Sequence, residues 1–171
     1  CQLSGWVGIK VMLGKVGKVR IMNRAWPRHI RTNDHDLAAM LERHEGRRTH
    51  PYRDIVGKLT IGVGRNLDDR GLSADEIDML LAHDIAIARA ACQALFPAFD
   101  GFHYKRQAGM ISMAFNLGQT RLAGFRRMRA AINDGNWIDA SNEALDSYWA
   151  RQVGHRAVEV AALLRSPDKA G

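Results

Sequence analysis

Three residues in the run LERHEGRRTHPYRDIVGKLTIGVG are candidates for catalysis: Glu45, Asp54 and Thr60. Glu45 closes a helical pattern directly before Gly46, where the helix macrodipole disfavours a negative charge by about a few tenths of a kcal/mol. A helix built for stability alone would carry Lys or Arg there. A carboxyl whose charged form is disfavoured holds its proton and can hand it on. Asp54 stands nine residues later, where the chain enters a hairpin, and Thr60 follows in the strand LTIGVG. Two carboxylates flanking a glycosidic bond are the apparatus of glycoside hydrolysis: one protonates the leaving oxygen, the other activates water or attacks the sugar. A nearby hydroxyl can orient that water. In a chain with 18 acids the same spacing also arises between solvated surface charges, so spacing alone leaves both readings open.

The elements that must position these groups follow from periodicity and punctuation. Asp34 or Asp36 reads as the N-cap of a helix over LAAMLERHE, with Leu37, Met40 and Leu41 on one face and Gly46 at its end. A turn at Val56-Gly57-Lys58 before the β-rich run Leu59 to Val63 predicts a short hairpin or small sheet. The polar stretch RNLDDRG reads as a loop. Ser73 and Glu76 in SADE form a capping box, opening a helix that continues or bends into DIAIARAACQAL before Pro97 stops it. Three or four further helical segments follow, in HYKRQAGMISMAFNLG, LAGFRRMRAAIND, NWIDASNEALDSYW and GHRAVEVAALLRS. The expected class is α+β, with a small β element at the front and a helical bundle behind.

Composition excludes several alternatives. With 46% apolar and 25% charged residues, 16 Gly and 4 Pro, the 171-residue chain is neither collagen-like nor wholly disordered. Its formal charge of +7 is confined to one segment. Residues 1–31 carry Lys10, Lys15, Lys18, Arg20, Arg24, Arg28 and Arg31 and no acid, and the other 18 basic residues match the 18 acids. The expected organisation is a basic leader over 1–31 and a neutral catalytic body over 32–171. The leader's charges are interleaved with its apolar residues, so it forms neither a membrane span nor a secretory signal. A chain opening on Cys1 is expected to be processed or a piece of a longer one, or to have an internal start at Met22. Cys1 and Cys92 are not expected to pair, and Cys92 reads as a small core residue. Seven scattered His without HExxH spacing argue against a metal site. The neutral body, lacking a helix-turn-helix or zinc signal, argues against a nucleic-acid partner.

The run from Leu41 to Leu67 resembles the active-site segment of the phage-type lysozymes, glycoside hydrolase family 24. That family's signature is Glu, eight residues, Asp or Cys, five residues, Thr, then I-G-x-G. Glu45, Asp54, Thr60, Ile61, Gly62 and Gly64 fill it without a gap. Further on, LSADEIDMLLAHDI, MAFNLGQTRLAGF and SYWARQVGHRA resemble the family's later elements, so the likeness covers about residues 36–165. The leader has no counterpart in it.

The resemblance implies a lysozyme-like fold, a small β-hairpin lobe and a mainly helical C-terminal lobe with the active-site cleft between them. It implies an endolysin-like N-acetylmuramidase cutting the β-1,4 bond between N-acetylmuramic acid and N-acetylglucosamine in peptidoglycan, without a cofactor. Glu45 would be the general acid, Asp54 would hold or deprotonate the attacking water, and Thr60 would help place it, an inverting arrangement. Phe115 and Asn116 would contact substrate, Arg156 would support the active site by pairing with Glu45, and Trp149 would pack the C-terminal helices. Plain core packing is the equal alternative for Phe115 and Trp149. Gly62 and Gly64 would serve backbone geometry, and Arg47, Arg48 and Arg65 would attract peptide carboxylates. Three positions depart from the family: Arg65 stands where His is common, and Met128 and Glu143 stand where a member has small polar sugar contacts. A monomer is expected. It would be phage- or prophage-encoded, made in the bacterial cytoplasm and acting on peptidoglycan in the periplasm and wall, or else carried on a virion. The alternative gives the main activity to residues 1–31, a basic Trp-containing segment contacting an anionic membrane surface or lipopolysaccharide, with the body as carrier.

Overall fold

The structure, a computed structural model, describes residues 32–167. The chain divides into two units, Cys1–Arg70 and Gly71–Gly171. The basic leader and Cys1 therefore lie outside the described residues.

The first unit runs from helix α1 (Thr32–Glu45) into strands β1 (Arg48–Arg53), β2 (Leu59–Gly62) and β3 (Arg65–Asn66). α1 begins earlier than an N-cap at Asp34 or Asp36 would have it. Both positions lie inside its first turns. Gly46 ends the helix as expected, adopting a φ of +73° that a β-carbon would strain. The three strands are antiparallel in the order β1-β2-β3. β3 is a correction to the loop reading of RNLDDRG: the chain reverses over Val63 and Gly64, and Arg65 and Asn66 pair back onto Ile61 and Thr60. Two residues are too few to show an alternating pattern. The consequence for chemistry is that Thr60 lies in the central strand, with Tyr52 on one side and Asn66 on the other.

The second unit is helical: α2 (Ala74–Leu95), a 3-10 turn at Phe99–Gly101, α3 (Tyr104–Ala123), α4 (Arg126–Asn133), α5 (Trp137–Leu145), α6 (Tyr148–Val153) and α7 (His155–Leu164). The capping box opens α2 in both directions. Ser73 Oγ accepts from the Glu76 N–H at 3.4 Å, and Glu76 Oε2 accepts from the Ser73 N–H at 2.8 Å. α2 then runs through 22 residues, continuing into DIAIARAACQAL as one helix until Phe96 turns extended before Pro97. Five helices follow where the pattern suggests three or four, because NWIDASNEALDSYW is split at Ser147. That hydroxyl accepts from the Ala150 N–H at 3.1 Å and donates to the Ala144 carbonyl at 2.6 Å, capping one helix while closing the last.

α2 packs along α3, α3 on α7, and α4 and α7 on α5. Between them lie Cys92, Phe96, Phe99, Met110, Met113, Leu122, Met128, Ile132 and Leu164, all fully buried. Each large side chain of this set contributes roughly 1.5–3 kcal/mol by leaving water. Burial pushes the Cys92 thiol up to about 12, against a smaller opposing effect of Arg89, which suits a packing residue rather than a reactive one. Among the described residues no helix is long and apolar enough to cross a membrane.

Candidate active site

In the first unit Glu45 closes α1, Asp54 directly follows β1 and Thr60 lies in β2. Glu45 is the last residue of α1, and its side chain lies against the turn between β2 and β3. A β-carbon built on Gly64 would stand 3.3 Å from Glu45 Oε2 and 3.6 Å from its Cδ, and the Gly64 φ is +70°. The second glycine of I-G-V-G thus serves the backbone geometry expected of it and also leaves the Glu45 carboxyl its space. Gly64→Ala is expected to destabilise the chain by about 1–2 kcal/mol through left-handed strain. It should also lower peptidoglycan turnover roughly tenfold or more by displacing that carboxyl. Thermal unfolding and turnover measured on the same preparation check both.

Asp54 and Thr60 are linked through one intervening residue, Lys58. Asp54 Oδ1 accepts from the Val56 N–H at 2.9 Å and the Lys58 N–H at 2.8 Å, closing the turn between β1 and β2. The Asp54 N–H donates to the Lys58 carbonyl at 3.0 Å, and the Thr60 hydroxyl donates to that same carbonyl at 3.2 Å. Asp54 Oδ1 is therefore committed to backbone donors, while no protein partner falls to Oδ2 among the described residues. Thr60 is 3% exposed and has its proton committed to Lys58, which leaves its oxygen as an acceptor. Neither the Lys58 link nor the space kept at Gly64 shows in the spacing of the motif.

The other predicted residues belong to the second unit. Phe115 and Asn116 follow one another on α3, and Arg156 is the second residue of α7. Phe115 is 46% exposed, so plain core packing is not its role, whereas Trp149 at 4% is a core residue. Asn116 Oδ1 accepts from Trp149 Nε1 at 2.8 Å, giving Asn116 a packing duty that the sequence does not signal. Arg156 is exposed. Of the arginines expected to draw in carboxylates, Arg47 is paired with Glu42, and the Arg48 guanidinium stacks 4.3 Å above the Tyr52 ring. Met128 is buried in the core, and half-buried Glu143 stands 3.8 Å from Arg127.

An acid on a helix end, an aspartate in the turn and a threonine in the strand of a small antiparallel sheet, and a helical unit after them define the α+β, lysozyme-like class. The family model described as Phage lysozyme matches residues 42–166, and the chain belongs to the phage lysozyme family, whose members act as lysozyme-type hydrolases of peptidoglycan. Among its relatives is the pre-baseplate central spike protein Gp5 of Enterobacteria phage T4, 25% identical over 156 residues. That match takes in 75% of this chain and 27% of the spike protein. Probable T4-type lysozyme 1 of Dictyostelium discoideum is 22% identical over 156 residues, covering 74% of this chain and 92% of the relative. Probable T4-type lysozyme 2 of the same organism is 21% identical over 159 residues, covering 76% and 94%.

Proposed function

We propose that this chain is an N-acetylmuramidase that hydrolyses the β-1,4 bond between N-acetylmuramic acid and N-acetylglucosamine. The observation that carries the reading is the division of labour at Asp54 and Thr60. Asp54 Oδ1 and the Thr60 hydroxyl proton are spent on the backbone of residues 56 and 58, so Asp54 Oδ2 and Thr60 Oγ1 remain as acceptors. A water donating one hydrogen to each has its lone pair free for the anomeric carbon. Asp54 takes the proton that this water sheds as the new C–O bond forms, and Glu45 gives its proton to the departing glycosidic oxygen. Water attack and bond cleavage on opposite faces of the sugar make this a single displacement.

Phe115 and Asn116 are assigned to substrate contact and Arg156 to support of the site, on the strength of the family motifs they fill. Residues 32–171 are the catalytic part, and residues 1–31 a separate basic segment. The phage lysozyme family supports a phage or prophage origin with a role in host lysis, and the spike protein among the relatives supports a place on a virion as the alternative. The test is a digest of purified peptidoglycan by the whole chain. Soluble fragments with N-acetylmuramic acid at the new reducing end are expected. Fragments ending in N-acetylglucosamine, or none, would overturn the reading.

A further inference from the structure

The polar loop after β3 is tied to the start of β2 by side chains that the acid and water chemistry leaves unused. Lys58 Nζ donates to Asp69 Oδ1 at 2.8 Å. Asp69 Oδ2 accepts from Asn66 Nδ2 at 2.9 Å, and the Asp69 N–H donates to Asn66 Oδ1 at 2.9 Å. One residue earlier, Asp68 Oδ2 accepts from the Leu59 N–H at 2.9 Å, and the Leu67 N–H donates to the Leu59 carbonyl at 2.7 Å. The loop thus grips residues 58 and 59, directly before Thr60, and residue 66, its partner across the sheet.

Lys58 faces both ways. Its backbone joins Asp54 to Thr60, and its side chain is held by Asp69. The hydrogen bond from Lys58 holds the Asp69 carboxyl below the usual range against desolvation, and the Lys58 charge and the hydrogen bond from Asn66 add to the lowering. The same bond, and then the Asp69 charge, hold the Lys58 ammonium above its ordinary value, with Asp68 and Asp54 adding to the effect. Asp69 therefore stabilises the fold above its ordinary value of 3.8, and that contribution is lost as pH falls through its lowered value. The Lys58 contribution is complete below 10.5 and is lost as pH rises through its raised value. At neutral pH both groups are charged.

Exposed ion pairs contribute little to stability, so this network is better explained by the geometry it fixes. We propose that Asp69 is a positioning residue for the hydrolysis: acting through Lys58, it fixes the backbone N–H and carbonyl of that residue, which hold the Asp54 carboxylate and the Thr60 hydroxyl. The inference rests on the muramidase reading.

Asp69→Asn and Lys58→Met in the whole chain are each expected to lower kcat on purified peptidoglycan about 3- to 10-fold while KM holds. At the assay temperature both variants should be fully folded by circular dichroism. Lys58→Arg, which keeps the charge and the reach, should restore most of the rate. The double variant should be no slower than either single one, because both remove the same link. Unchanged kcat in both single variants, or losses that multiply in the double, would overturn the positioning role. A wild-type chain that turns over no peptidoglycan would overturn the muramidase reading and this inference with it. An active wild type with an equally active Asp69→Asn variant would overturn this inference alone.

Discussion

Glu45→Gln should fold like the wild type and lose about 1,000-fold or more in kcat on purified peptidoglycan. Glutamine keeps the length and shape of the side chain, so its place beside Gly64 is retained. What it removes is the proposed proton donor, and without protonation the sugar must depart as an alkoxide. The fold has no reason to suffer, since a carboxylate at a helix C-terminus is unfavourable by about a few tenths of a kcal/mol. An unchanged or slightly raised melting temperature beside a collapsed kcat is therefore the expected pair of results. A folded Glu45→Gln chain that keeps wild-type turnover would remove Glu45 from the mechanism.

The second large effect separates the two oxygens of Asp54. Asp54→Asn keeps an acceptor where Oδ1 takes the Val56 and Lys58 N–H groups, so the turn survives. It replaces Oδ2 by an amide that cannot accept a proton from water, and kcat should fall about 100-fold or more. Asp54→Ala removes both functions. It should show a comparable loss of rate and a further loss of stability of about 0.5–2 kcal/mol, because two backbone N–H groups lose their acceptor. Melting temperatures of the three chains, read beside their turnover, check this ordering. Equal stability of Asp54→Asn and Asp54→Ala would mean that the turn does not depend on Oδ1.

The parts of this molecule that the sequence reveals are those governed by local rules. Ser73 and Glu76 cap each other as their spacing requires, and Gly46 ends α1 in the left-handed conformation. The motif residues Glu45, Asp54 and Thr60 fall on a helix end, a turn and a strand because Gly46 ends α1, the turn at Gly57 is short and the glycines at 62 and 64 permit the reversal. What stays hidden depends on contacts between distant residues. Lys58 meets Asp69 eleven residues away, and no pattern of charge in DDRG singles that aspartate out. Asn116 accepts from Trp149 thirty-three residues away, so its packing duty is invisible beside its place in MAFNLG. Ser147 divides one apparent helix into two, since its hydroxyl serves both the end of α5 and the start of α6. β3 is missed for a simpler reason: two residues carry no period.

In the proposed reaction a water held by Asp54 and Thr60 attacks the sugar directly while Glu45 protonates the leaving oxygen. The most direct test is the anomeric configuration of the first product, followed by proton NMR on a soluble peptidoglycan fragment before mutarotation scrambles it. Single displacement at a β-1,4 bond predicts the α-anomer of the new reducing N-acetylmuramic acid. The β-anomer as first product would mean a covalent intermediate or another attacking group, and would rule out direct attack by this water.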